Sequence, residues 1–411
     1  MANRRFAFFI IFLIALLDSI GFGIILPVMP GLLMEISGED LSASAVYGGW
    51  LLFAFAIMQF LSMPVIGNLS DAYGRKKILL VSLTVLAINY FIMGIAESLW
   101  LLLLGRIISG IGSATFSTCN AYIADMTTPE ERAQFFGMTG AAFGTGFVLG
   151  PVIGGFLGDF GTRAPFFATS ALAVMSLIMT LIFLPESLKK EHRRPFELAR
   201  ANPVSVLLDL RKFRIVLGII AVMFFYNLGH HSLPAVWSFY GMEKFNWTPR
   251  EIGFSLAAVG TLMVLVQGLL IRVVVPALGL KRAGIFGFIC MMFGFMGYAL
   301  AYDNLTIGIA MVIAALGALS GPAMTGIASG MVGPSQQGEL QGAIGSIMSL
   351  TSIISPPVMT GTFGAFSGSD AVYYFPGAPY MLAALLTLVS LMVFIVVTRN
   401  FVEPTAEVAP S

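Results

Sequence analysis

The sequence predicts an all-α polytopic membrane protein of twelve transmembrane helices, built as two parallel-repeated six-helix bundles. Composition is the first reason: 57% of the residues are hydrophobic and 10% are charged, where soluble domains carry about 25% charged residues. The second is that apolar runs with few charges recur from Phe6 to Val397, each close to the roughly 20 residues a helix needs to cross ~30 Å of hydrocarbon. The third is an internal repeat. Shifting the chain by 205 residues lays Gly74 on Gly279, Lys76-Lys77 on Lys281-Arg282, Gly112 on Gly317, Gly137 on Gly342 and Pro151 on Pro356. One constant offset that matches loops and spans alike is what a parallel duplication leaves behind.

The spans are predicted near residues 6–28, 44–66, 78–96, 99–123, 135–158, 164–184, 214–238, 251–271, 283–301, 305–328, 339–362 and 379–398. The first follows Arg4 and Arg5 and resembles a signal peptide, but no small-x-small cleavage site follows, so it reads as an uncleaved span. The longest polar stretch divides the chain into a first bundle (1–184), a cytoplasmic linker (185–213), a second bundle (214–400) and a cytoplasmic tail (401–411). Within the linker, Pro203 to Lys212 alternates apolar and polar residues; it reads as an amphipathic helix on the inner leaflet or as a plain solvated linker. Lys and Arg set the orientation. With both termini cytoplasmic, 18 of the 22 basic residues fall inside, Arg163, Lys244 and Arg250 fall outside, and Arg106 falls within the membrane.

Several function classes are excluded. Cys119 and Cys290 lie in apolar runs and indicate neither a disulfide framework nor a metal site. No H-E-x-x-H, no phosphate-binding loop and no clustered membrane acids are present, so an intramembrane enzyme has no chemistry to use. No cofactor, metal or nucleic-acid partner is expected. The lipid bilayer is the expected partner, around a monomer.

The membrane-embedded ionisable groups are few. Asp18 is the one carboxylate of 21 that falls deep in a span, and such a group costs several kcal/mol unless it faces a cavity or a partner. It reads as a proton-coupling residue or as a neutral acid bonded to nearby backbone. Arg106 lies at similar depth in span four; it reads as the partner of Asp18 or as a side chain snorkelling to the outer interface. Span seven brings Tyr226, Asn227, His230 and His231 ahead of Trp237. On one helix, neighbouring histidines point about 100° apart, so one of the two faces a cavity. That one is a proton site or a hydrogen-bonded structural histidine.

Two backbone motifs complete the reading. Gly67-x-x-x-Asp71-x-x-Gly74-Arg75-Lys76-Lys77 is a charged insert between spans two and three, with Gly67 and Gly74 expected to bracket a tight turn. Asp125, at the end of span four, is expected to pair with Arg75. In span five, Gly146-x-x-x-Gly150-Pro151-x-x-Gly154-Gly155 allows close helix approach, with a kink at the proline.

The loop motif resembles the signature between the second and third helices of the major facilitator superfamily, and the span-five string resembles its drug-antiporter motif. The runs Gly21–Pro30, Tyr122–Thr127, Glu131-Arg132, Trp247–Ala257 and Gly338–Gly342 resemble the tetracycline efflux family over essentially the whole chain to Phe401. That resemblance implies a proton-coupled exporter of the bacterial inner membrane, working by alternating access, with the 67–77 loop and Asp125 as a gate. It also marks departures. The third-span aspartate of those pumps falls on Asn89, their eighth-span histidine on Met263 and their ninth-span aspartate on Met291. The resemblance therefore implies a different amphipathic substrate, met by a mostly apolar cavity containing Asn89, Tyr226, Asn227, Trp237, Met263 and Met291. Uptake by proton symport and a non-transporting membrane sensor are the alternatives.

Overall fold

Hydrocarbon offers no hydrogen bonds to the backbone, so a chain crossing it satisfies its own N–H and C=O groups in helices. The computed structural model describes residues 2–197, 217–333, 336–399 and 401; Pro203 to Lys212 and residues 402–411 lie outside the described residues. The helices are α1 (Ala2–Ile25), α2 (Met29–Ser37), α3 (Leu41–Tyr73), α4 (Arg75–Ile95), α5 (Leu99–Gly112), α6 (Thr115–Met126), α7 (Pro129–Gly158), α8 (Ala164–Phe183), α9 (Leu217–His230), α10 (Ser232–Phe245), α11 (Pro249–Leu265), α12 (Ile271–Leu300), α13 (Asn304–Leu316), α14 (Ser320–Gly330), α15 (Gln337–Ser367) and α16 (Ala378–Val397). Local chemistry starts several of them. Asp40 accepts from the Ala43 amide at 2.9 Å to cap α3, and Thr128 with Glu131, and Asp303 with Thr306, form reciprocal capping boxes.

Eleven described helical segments are long and apolar enough to cross a membrane, and one of them, Pro249–Leu300, has 52 residues. At 1.5 Å per residue it would measure about 78 Å, more than twice the hydrocarbon thickness. It is broken at Gly279, whose φ is 78°, so it is two spans and the total is twelve. Gly74, its repeat equivalent, has φ 103°. The repeat also sets the other interruptions. Residues 26–28, between α1 and α2, answer to His231 between α9 and α10; Ser113 and Ala114, between α5 and α6, answer to the tight turn Gly317–Leu319 between α13 and α14.

One expectation is corrected here. Gly67 does not bracket a turn; it lies inside α3, which runs unbroken to Tyr73. No helix breaker stands between Gly67 and Tyr73, so the helix continues through Gly67 and Gly74 alone turns the chain.

The chain divides into two compact units. The first comprises Met1–Pro203, Pro234–Gly260 and Pro356–Tyr374. In it α1 lies against α7 and α8, α4 against α8, and α3 against α5. The contact of α1 with α7 is made by glycines. A Cβ at Gly146 would stand 2.6 Å from the Ser19 Cβ, one at Gly150 2.6 Å from the Ile20 carbonyl, and one at Gly154 would run into the Ile24 carbonyl. The Ser19 hydroxyl donates to the Phe143 carbonyl at 2.7 Å across the same seam. On its other side α7 meets the start of α11. A Cβ at Gly155 would fall 2.8 Å from the Arg250 Cα, the Arg250 guanidinium sits 4.3 Å from the Phe156 ring centre, and Gly253 abuts the Pro151 carbonyl.

The second unit comprises Val204–Leu233, Thr261–Ser355 and Phe375–Ser411. There α16 lies against α9 and α12, with the Ser390 hydroxyl donating to the Val222 carbonyl at 2.6 Å and the Ser355 hydroxyl to the Leu228 carbonyl at 2.7 Å.

Because the atoms opposing Gly154 are backbone, they cannot yield. Gly154→Ala is expected to destabilise the protein by about 1–3 kcal/mol, the usual cost of overpacking. Gly140 lies on the same helix with open space where its Cβ would stand, so Gly140→Ala should be neutral or stabilise by up to about 1 kcal/mol. Thermal unfolding of the two detergent-solubilised variants checks this; equal melting temperatures would contradict the seam.

Candidate functional site

α1 carries Asp18 to a small cavity of about 10 Å³, lined also by Leu83, Leu86, Tyr90, Thr169 and Ser176. That is about the space one water needs. Arg106 lies on α5, 5% exposed, and lines a separate cavity of about 40 Å³. The two are not brought together as an ion pair, contrary to the expected pairing. Residue count gives depth along a helix; packing sets rotation about it, and the two side chains line different cavities. Tyr90, on α4, is buried and belongs to the cavity of Asp18, not to that of Arg106. Arg106 Nε is buried with no hydrogen-bond partner among the described residues. Asn89 is buried beside Gly105 and directs its amide to the Met93 sulfur at 3.7 Å.

The span-seven residues divide between the units. In the second, Tyr226 is buried and stacked on His230 at 5.7 Å, while Asn227 donates to its own helix at the Met223 carbonyl, 2.8 Å. The two histidines do not share a continuous helix: α9 ends at His230 and α10 begins at Ser232. His230 Nδ1, His231 Nε2 and Ser232 Oγ are buried without hydrogen-bond partners among the described residues. Met291 is buried against Gly317, and Met263 is half-buried. In the first unit Trp237 is buried and donates to the Ser255 hydroxyl at 2.8 Å.

At the end of α3 a charge cluster forms around Gly74. Arg75 Nη1 lies 2.6 Å from Asp71 and its Nε 3.0 Å from Asp125, with the guanidinium 11% and Asp125 18% exposed. The expected contact of Arg75 with Asp125 is present. Sequence reasoning missed the other half of this cluster, which comes from the start of the linker. Glu186 accepts from the Arg75 amide at 2.8 Å, the Ser187 hydroxyl donates to Asp125 at 3.0 Å, and the Arg194 amide donates to the Asp71 carbonyl at 3.3 Å. A Cβ at Gly74 would collide with Glu186, so glycine is required there for space as well as for φ.

Sequence reasoning also missed a groove of about 670 Å³ where the N-terminal ends of α1 and α7 meet, walled by Arg4, Arg5, Phe8, Phe12, Glu131 and Phe135. Arg4 and Glu131 are ion-paired across it. The only advance signal was two arginines ahead of a phenylalanine-rich run.

The pattern of the Major Facilitator Superfamily matches residues 11–312. The chain belongs to the major facilitator superfamily. Among its relatives are the class C tetracycline resistance protein of Escherichia coli, 38% identical over 370 residues covering 90% of this chain and 93% of that one. Multidrug resistance protein 2 of Bacillus subtilis (strain 168) is 30% identical over 369 residues, 86% of this chain and 88% of that one. The fold is shared with the solved nucleoside transporter NupG at TM-score 0.76 and 12% identity, covering 97% of this chain and all of that one. It is shared also with the human organic anion transporter MFSD10 at TM-score 0.69 and 23% identity, over 95% and 99%. The chain is thus a multi-pass membrane transporter of a small molecule, related to tetracycline and multidrug efflux proteins, and not an enzyme.

One clasp of this transporter lies outside its spans. The Thr162 hydroxyl donates to Glu35 at 2.5 Å and holds that carboxyl below the usual glutamate range; partial burial opposes it, and Arg163, 3.1 Å away, adds to the lowering. A lowered carboxyl stabilises the fold above its unfolded value near pH 4.5 and loses that contribution as pH falls through the lower folded value. Glu35 is half exposed, so the effect stays below about 1 kcal/mol. Glu35→Gln should therefore melt slightly lower than the parent at pH 7, with the gap closing below about pH 4. Melting curves over that range check it, and a gap constant with pH would assign the loss to packing.

Proposed function

We propose that this transporter is a proton-coupled exporter of an amphipathic small molecule, working by alternating access in the bacterial cytoplasmic membrane as a monomer with both termini cytoplasmic. The observation that carries the reading is the 38% identity, over nearly the whole of both chains, to a tetracycline resistance protein. The proposed working parts are the bundles 1–184 and 214–400, joined by the linker 185–213.

Asp18 supplies the proton site. It is the lone deep carboxylate, and its cavity has room for about one water, enough to hand a proton to or from the side chain. His230 and His231 are the reserve candidates. The Arg75, Asp71 and Asp125 cluster acts as a latch on the cytoplasmic side: charge pairs that exist in one state and break in the other bias the equilibrium between them. A bias of one or two kcal/mol is about a five- to thirty-fold change in population. The glycines of α7 let the outer half of that helix lie directly on α1 and on the start of α11. The candidate substrate contacts are Asn89 and Trp237 in the first unit and Tyr226, Asn227, Met263 and Met291 in the second, none of which lines a cavity described above; methionine offers adaptable contact.

Asp18→Asn should abolish proton-driven transport while insertion and melting stay normal. Acid-loaded everted vesicles with a pH-sensitive dye measure the exchange; undiminished exchange would move the proton site to the histidines. Comparing dye accumulation in cells with and without the chain sets the direction, since export lowers accumulation and import raises it. Tetracycline tolerance on expression should stay at the level of the empty vector, because Asn89, Met263 and Met291 lack the charge of the groups those pumps carry there. A large gain in tolerance would overturn the substrate reading.

A further inference from the structure

We propose that Arg106 is an anion-binding group of the substrate site, so that the transported molecule carries a carboxylate or a comparably delocalised anion on an apolar frame. This rests on the reading above that the substrate is an amphipathic small molecule, and it names that molecule's charge.

The guanidinium is charged at any accessible pH. It is 5% exposed, and its Nε is sealed from solvent with no hydrogen-bond partner among the described residues. No ion pair among the described residues reaches it. The cavity it lines, about 40 Å³, is otherwise walled by Phe22, Ile25, Leu26, Leu51 and Phe239. The one hydroxyl in that wall, Ser238, is committed to the Leu26 carbonyl at 2.8 Å. A buried charge with no counter-charge is costly by several kcal/mol. Nothing in this cavity compensates it, and the deep carboxylate, Asp18, lines another. What relieves the cost is a ligand bringing negative charge.

The remaining chemistry narrows the ligand. A guanidinium forks two parallel N–H donors onto a planar oxyanion, which favours carboxylate over a point anion. The volume, about that of three waters by the same measure, takes only an anionic head, so the apolar part must extend beyond it. Apolar walls around a single charge also select against a cation, which would be left unpaired beside Arg106.

The test uses the intact protein in lipid nanodiscs and three probes on one frame: 2-naphthylacetate, 2-naphthylacetamide and 2-(2-naphthyl)ethylamine. Binding is read by thermal shift and by competition, without any transport step. The carboxylate should bind about ten- to a hundred-fold more tightly than the amide, and the amine should not bind. Arg106→Gln should erase the difference between carboxylate and amide, and Arg106→Lys should retain part of it. The ligand-free Arg106→Gln protein should melt no lower than the parent, since it loses an uncompensated charge and no bond. Equal binding of the three probes to the parent would overturn the proposal. So would a carboxylate preference that survives Arg106→Gln, whether or not that variant still moves protons. If cells show no export yet the Arg106-dependent preference is present, the export reading falls and this one stands; export without the preference has the reverse meaning.

Discussion

A backbone that crosses hydrocarbon must satisfy itself, and a charge that crosses it must be compensated; the first constraint shapes this chain and the second shapes its site. Among the described residues, helices satisfy the backbone of the spans apart from a few interruptions bridged by turns, and these recur 205 residues apart, at residues 26–28 and 231 and again near 112 and 317. Non-helical backbone is tolerated within a membrane protein only where protein or a cavity surrounds it. Two of the breaks adjoin polar groups: the first lies beside the cavity of Arg106, and beside the break at His231 three buried polar atoms have no hydrogen-bond partner among the described residues.

Charge compensation then separates two kinds of site. The cluster at Gly74 is dense and mutually satisfied: Arg75 is shared between Asp71 and Asp125, while Glu186 takes the Arg75 amide. Such a cluster ties the ends of α3 and α6 to the start of α4, with the Arg75 guanidinium held between acids from the other two helices. The embedded charges are the opposite case. Asp18 and Arg106 occupy separate cavities in the first unit, and neither is satisfied by the other. A group left incomplete inside a membrane is where a proton or a ligand enters the balance.

Much of this was legible in the residues. Apolar run length gave the twelve spans, and the break at Gly279 that divides the 52-residue segment into two of them stands where the repeat lays it opposite Gly74. The glycines of α7 announced a close seam because their spacing puts them on one face. Rotation about a helix axis was not legible, which is why Asp18 and Arg106, equal in depth, line different cavities. Gly67 misled because glycine marks both turns and exposed helix positions, and only neighbours decide which. The docking of Glu186 onto Gly74 was invisible for another reason: it joins residues 112 apart through the fold, with no periodic signal in the linker. The interruption at His231 had only a weak marker, Pro234 three residues on.

The sign of the coupling between the two embedded charges follows from their arrangement. Asp18 and Arg106 line separate cavities of the same unit, and a membrane interior screens charge far less than water does, so the charge state of one cavity biases the other. With Asp18 ionised and Arg106 cationic, the pair is neutral in sum. An anion on Arg106 makes the sum negative and favours the neutral form of Asp18; by reciprocity, protonating Asp18 favours the anion. Electrostatics alone therefore draws a proton and an anionic substrate together, and exchange of one for the other cannot come from these two charges by themselves. An exporter that exchanges them needs a conformational term of opposite sign, larger than this attraction. The latch proposed at Gly74 would supply one if the pairs of Arg75 with Asp71 and Asp125 break together. Whether the chain exchanges or co-transports thus reduces to which term is larger, the through-space attraction inside the membrane or the latch at its edge.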